Sequence, residues 1–151
     1  LTGNIKNITA SNIHIKTIDG DYIGGLVGIM TTSVENTFEN VSISDSTIEG
    51  DNYVGGLVGS GKVTKNAYVN NCTIKGRDEV GGAMGTYGWI NGIYNVNVTD
   101  SNISGETSVG GIAGNGGSLY DSIIIGSTIE GNSPNSTDVG GLLGISYGRK
   151  C

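Results

Sequence analysis

Val54-Gly55-Gly56-Leu57-Val58-Gly59 is one of five copies of a six-residue phrase, and its recurrence decides the fold. The other copies run from Ile23 to Gly28, Val80 to Gly85, Val109 to Gly114 and Val139 to Gly144. Their leading glycines, Gly24, Gly55, Gly81, Gly110 and Gly140, are 31, 26, 29 and 30 residues apart. Repetition at such a period marks a stack of similar units, none able to bury its apolar face alone. A repeated unit is a scaffold first, which weighs against an enzyme.

Outside the phrase, Val41 and Ile43 alternate with Ser42 and Ser44, and Ile48 follows beyond Asp45 and Ser46. The spacing recurs in Ala67, Val69 and Ile74, in Val96, Val98 and Ile103, and in Ile123, Ile125 and Ile129. Ile8, Ala10, Ile13 and Ile15 play these parts in the first unit, although Ile18-Asp19-Gly20 offers a second register. Short β-branched runs of period two, bounded by Asn, Asp, Ser and Gly, predict strands joined by turns. Helices are disfavoured, because glycine is frequent and no 3.6-residue period persists.

Three short strands per unit follow: one on the Val-x-Ile pair, one on the single Ile and one on the glycine phrase. Strands of about five residues plus turns fill such a unit. The expected fold is all-β, a right-handed parallel β-helix (β-solenoid) of about five coils of 26–31 residues. The units are approximately 1–28, 29–59, 60–85, 86–114 and 115–144, with 145–151 opening a further coil, in one domain over 1–151. A β-roll is the runner-up, and propeller blades need a longer period. The length differences fall after the glycine phrase and in Asn132 to Thr137, as loops require.

A glycine inside a strand costs about 0.5–1 kcal/mol against alanine. Ten of them, Gly24, Gly25, Gly55, Gly56, Gly81, Gly82, Gly110, Gly111, Gly140 and Gly141, therefore answer a backbone need. Either a positive φ or close approach of neighbouring backbone supplies it. Val54 and Leu57 both face inward only if the pair between them turns a corner.

The 151 residues include 28 glycines but one proline, and apolar residues make up 36%. A thin core repeated along an axis suits this composition. Net charge is −6, the acids are scattered, and no basic cluster exists for nucleic acid. No apolar run is long enough for a membrane-spanning helix, so membrane insertion is not expected. Cys72 reads as a small strand residue and Cys151 as the end of a fragment; the start at Leu1 suggests a segment of a longer protein.

Several residues tempt a chemical reading. Gly56 to Lys62 nearly spells a phosphate-binding loop, but Val63 stands where a hydroxyl must hold magnesium and Thr64 to Ile74 pattern as strand. His14 is the one histidine and alternation points it outward, so no metal site is expected. Asp51, Asp78 and Glu106 follow corresponding turn glycines and would form an outward acidic column, a calcium or catalytic candidate set against plain solvated acids. Six Asn-x-Ser/Thr sequons begin at Asn7, Asn40, Asn71, Asn97, Asn102 and Asn135. Tyr87, Trp89 and Tyr94 cluster beside a longer inter-strand segment, where they either contact sugar or protein or cover the core edge. No catalytic residue, cofactor or metal is assigned.

The glycine phrases resemble the GLUG repeats of bacterial surface proteins, whose Gly-Leu-hydrophobic-Gly core matches Gly56-Leu57-Val58-Gly59 and Gly25-Leu26-Val27-Gly28. Ala83-Met84 and Ile112-Ala113 depart from it but keep the glycines. The resemblance implies an extracellular or cell-surface location and a non-catalytic adhesion or spacer role, with a host protein or glycan as partner beside flanking coils or domains of the same chain. Such repeats also occur in the non-catalytic part of IgA-specific zinc metallopeptidases, which implies a substrate-engaging alternative. A carbohydrate-active β-helix enzyme is the third reading and needs bases that this chain mostly lacks.

Overall fold

The structure is a computed structural model that describes residues 3–31, 37–62, 65–87 and 92–146. Every regular element among them is a β-strand. Four five-stranded parallel sheets run along the axis, and each coil adds one strand to each. Sheet A holds Ile5–Ser11, Phe38–Ser44, Lys65–Asn70, Val96–Thr99 and Ile123–Ile125. Sheet B holds His14–Lys16, Thr47–Glu49, Thr73–Lys75, Asn102–Gly105 and Thr128–Gly131. Sheet C carries the first half of each glycine phrase, as in Asn52–Gly55, and sheet D the second half, as in Val58–Gly61. A short fifth sheet pairs Ile93–Tyr94 with Leu119–Tyr120. The molecule is thus an all-β parallel β-solenoid of about four turns.

Each coil has four main strands where the sequence suggested three. The glycine phrase is two strands meeting at a bend over Gly56 and Leu57. Periodicity alone does not separate them, because the bend keeps both flanking residues apolar.

Apolar columns stack in register along the axis. Ile15, Ile48, Ile74, Ile103 and Ile129 pair successively in sheet B, and Ile23, Val54, Val80, Val109 and Val139 do so in sheet C. The middle members are fully buried, and each buried Ile or Val contributes about 1.5–3 kcal/mol. Members in the end coils are only partly covered or exposed.

One register differs from the sequence reading, and one that the sequence left open is fixed. Val98 pairs with Ile124, so Ile124 continues the Ile43 column while Ile123 and Ile125 stand outside at 49% and 60% exposure. In an unbroken isoleucine run, a slip of one residue exchanges the faces of the strand. Ile15 holds the core position in the first coil, and Ile18 is exposed.

Length differences are confined to two corners. Six residues separate Ile48 from Val54 and Ile74 from Val80, but ten separate Ile129 from Val139. Between sheets D and A, fourteen residues separate Val27 from Val41, nine Val58 from Ala67, and twelve Met84 from Val96.

Candidate functional site

The glycine corner is a place of contact between coils. A Cβ on Gly55 would strike the Val58 carbonyl oxygen of its own coil, and would lie 2.5 Å from the Met84 Cα and 2.7 Å from the Gly85 nitrogen in the next coil. A Cβ on Gly56 would strike the Gly82 carbonyl oxygen. Gly25 stands in the same relation to Gly56, Gly82 to Gly111, and Gly111 to Gly141. None of the ten pair glycines is among the residues with positive φ. Close approach, not conformation, is therefore what requires glycine here. Val54 and Leu57 are both fully buried, one on each side of the bend.

The main-chain ladder continues through the corner. Gly56 donates to the Gly82 carbonyl at 3.1 Å, Leu57 to Ala83 at 2.9 Å and Val58 to Ala83 at 3.1 Å. Buried backbone groups at the bend are thus satisfied by the next coil.

Left-handed backbone occurs elsewhere, on fourteen non-glycine residues among those described, with φ between 49° and 58°. They form three columns. Asn7, Asn40, Asn66, Asn95 and Asp121 line one side of sheet A; Asn12, Asp45, Asn71 and Asp100 turn the A–B corner. Tyr22, Tyr53, Glu79, Ser108 and Asp138 precede the glycine phrases. Asn and Asp tolerate this conformation because their short polar side chains bond locally. A Cβ on Gly59 would lie 2.6 Å from the Ile23 nitrogen and also strike the Tyr22 carbonyl carbon, so the last glycine of the phrase makes room for the third column.

The first two columns hold the coils together through side chains. Asn40 Nδ2 donates to Asn7 Oδ1 at 3.1 Å, Asn66 to Asn40 at 2.8 Å and Asn95 to Asn66 at 2.6 Å. Asn71 Nδ2 donates to Asp45 Oδ1 at 2.7 Å, which holds the Asp45 carboxyl below its usual range. Sequon residues Asn40 and Asn71 thereby have their amide nitrogens engaged in the ladder, and Asn7 joins it as an acceptor.

A further column lies under the A–B corner. Ser46 Oγ accepts from the Ile13 amide, Ser101 Oγ from the Cys72 amide and Ser127 Oγ from the Ser101 amide, at 3.0, 3.1 and 3.1 Å. Cys72 replaces serine in this series: its Sγ donates to the Asn70 carbonyl at 3.2 Å, as Ser101 Oγ does to Thr99. Burial raises the Cys72 thiol above its ordinary pKa.

Outward charges alternate along the axis. Lys16 pairs with Glu49 at 2.7 Å, and Lys75 approaches Glu49 from the other side at 3.8 Å. Lys6 pairs with Glu39 at 2.7 Å. The lysine contacts hold the Glu39 and Glu49 carboxyls low.

The acidic column expected from the turn glycines does not form. Asp78 pairs with Asn52 and Thr107, one position away from Asp51. Asp51, Arg77 and Glu106 occupy successive coils instead, with Arg77 Nε 2.9 Å from Asp51 Oδ1. No group of three or more His, Cys, Asp or Glu able to hold a metal occurs among the described residues. His14 is exposed, opposite Thr47 in sheet B. Lys62 is buried, and Lys65–Asn70 is a strand where a phosphate-binding loop needs a helix; Val63 and Thr64 lie outside the described residues.

Of the aromatic cluster, Tyr94 stands outward at 40% exposure and stacks on Tyr120, centroids 4.7 Å apart and planes 9° off parallel. The backbone of Tyr87 pairs with Gly61; its side chain, and the whole of Trp89, lie outside what is described. Cys151 does too. Tyr120 was missed in the sequence, although it lies 26 residues beyond Tyr94, the same step as Val98 to Ile124. Tyr22 and Tyr53 make a second stacked pair at 4.6 Å.

Compared with known proteins, the chain matches no family model, no curated protein and no solved structure.

Proposed function

We propose that this chain is a non-catalytic repeat scaffold of a bacterial surface or secreted protein, serving as an adhesion or spacer module. The carrying observation is how the polar side chains are used. Turn amides bond the coil below, and outward acids pair with lysine or arginine of a neighbouring coil. Such a chain uses its polar chemistry to stay stacked. Its resemblance to GLUG repeats supports the extracellular placement. The coil winds right-handed on this reading, as parallel crossovers do in about 98% of cases.

The stacked pair of Tyr94 and Tyr120 favours a contact with host protein or glycan, since aromatic faces suit sugar rings and protein side chains alike. Glycan and immunoglobulin arrays probed with the purified chain test this. Binding that disappears in Tyr94→Ala supports an adhesive role, and selective immunoglobulin binding supports the accessory region of a protease. Turnover of a polysaccharide by the chain alone refutes the scaffold reading.

A further inference from the structure

We propose that the stacked tyrosine pairs are modification sites, at which a one-electron oxidant joins adjacent coils through a carbon–carbon bond between the two rings. Two such pairs span coil junctions, Tyr22 with Tyr53 and Tyr94 with Tyr120. Equivalent residues of successive coils stand one strand spacing apart, about 4.7–4.9 Å. The ring centroids are 4.6 and 4.7 Å apart and the planes 8° and 9° from parallel, so the backbone itself holds the rings face to face. A further coil against Tyr22 or Tyr120 would cover the opposite face of that ring and leave the shared face unchanged.

At the second pair the reacting carbons lie on one side of the stack. A Cβ on Gly92 would lie 2.7 Å from Cε2 of Tyr120 and 3.1 Å from Cε2 of Tyr94. Both Cε2 atoms therefore border the same point in space. They adjoin the carbon that bears the phenol oxygen, where a phenoxyl radical carries much of its unpaired spin. With glycine at position 92, that residue puts no side chain against these carbons. Tyr94 has a coil on each side and is still 40% exposed, so an oxidant reaches it. Tyr68 is as exposed, at 43%, but stands between Ser42 and Asn97, with no tyrosine at the equivalent position of either neighbouring coil.

The chemistry balances with a peroxidase and hydrogen peroxide as the oxidant. Each phenol gives up one electron and one proton, and the peroxide becomes two waters. The two radicals join Cε to Cε. Each of those carbons then releases its hydrogen as a proton, and each phenol oxygen regains one. The protein loses two hydrogen atoms per link. The link closes a loop of 26 residues between Tyr94 and Tyr120, and of 31 between Tyr22 and Tyr53. It restrains the unfolded chain as other cross-links do.

Peroxidase and hydrogen peroxide added to the purified chain at micromolar concentration test this, with the products read by dityrosine fluorescence, intact mass and peptide mapping. The expected product is a monomer lighter by two hydrogen atoms per link. Its cross-linked peptides should join Tyr94 to Tyr120 and Tyr22 to Tyr53, at about ten times or more the yield of any link through Tyr68. Its melting temperature should rise by about 5–15 °C. Tyr94→Phe keeps a ring in the stack, and should abolish the link to Tyr120 while sparing the one between Tyr22 and Tyr53. Chains joined to one another in place of internal links, Tyr68 linked as readily as Tyr94, or a Tyr120 link that survives in Tyr94→Phe each overturn the proposal. So does an unchanged melting temperature in the linked monomer.

Discussion

Gly56→Ala and Gly141→Ala are the same substitution in the same phrase, and the structure separates them. At Gly56 the new methyl meets the Gly82 carbonyl, with Val69 Cγ1 at 3.3 Å on its other side. The two coils must part locally, which loosens three hydrogen bonds of 2.9 to 3.1 Å donated by Gly56, Leu57 and Val58. At about 0.5–1.5 kcal/mol each, and more for buried groups left unpaired, the loss is about 2–5 kcal/mol. Against this stands a gain of about 0.4–1 kcal/mol from stiffening the unfolded chain. At Gly141 the methyl enters open space, so only the gain remains. Thermal melts followed by far-ultraviolet circular dichroism, at low micromolar protein, should show Gly56→Ala lowered by roughly 2–18 °C for the net loss. Gly141→Ala should be unchanged or slightly raised. Equal losses in both variants would refute close approach as the reason for glycine, and would return the requirement to something internal to each unit.

Three other outcomes follow from the columns. Asn66→Ala loses two ladder bonds and places a Cβ residue without local bonding at φ 54°, a cost of about 2–4 kcal/mol; Asn66→Gly keeps the conformation and should cost about half as much in urea unfolding. Cys72→Ser should stay within about 1 kcal/mol of the parent, since Ser46 and Ser101 fill the same place, and on a Cys151→Ser background the Cys72 thiol should react with a disulfide reagent only on unfolding. The depressed carboxyls of Glu39, Asp45 and Glu49 give stability that is present above their ordinary pKa values of 4.5 and 3.8 and is lost as pH falls through the lower folded ones. Melting temperature should therefore decline below about pH 4.5, and by less in high salt, because these groups are exposed and screened.

The period and the apolar columns were legible because both are properties of a single unit repeated. Val41, Ile43 and Ile48 announce a strand, a turn and a strand without reference to any neighbour, and the burial of Val54 and Leu57 follows from the bend between them. What the sequence concealed depends on the coil above or below. Alternation alone turns Ile124 outward, because Ile123 and Ile125 are equally apolar; only its pairing with Val98 settles the face. Asp51 and Asp78 look equivalent beside their glycines, yet the ladder sets Asp51 under Arg77. The left-handed columns carried a local signal, Asn or Asp recurring at each turn, but Tyr22 and Tyr53 carried none.

Those two tyrosines make the general point. A bulky residue at positive φ costs about 1–2 kcal/mol, and a single coil has no means of offsetting it. In the stack, Gly28 and Gly59 lie against the Tyr22 backbone, and Tyr22 and Tyr53 cover each other's rings. The third glycine of the phrase and the left-handed residue before it are thus one device, split between adjacent coils. That explains why the column accepts tyrosine, glutamate, serine and aspartate in turn while the glycine never varies: the constraint acts on the backbone, and the side chain points away from it. It also locates the stability of the molecule at the junctions between coils, so that unfolding should begin at the ends, where Ile8 and Val139 are already 42% and 43% exposed, and proceed coil by coil.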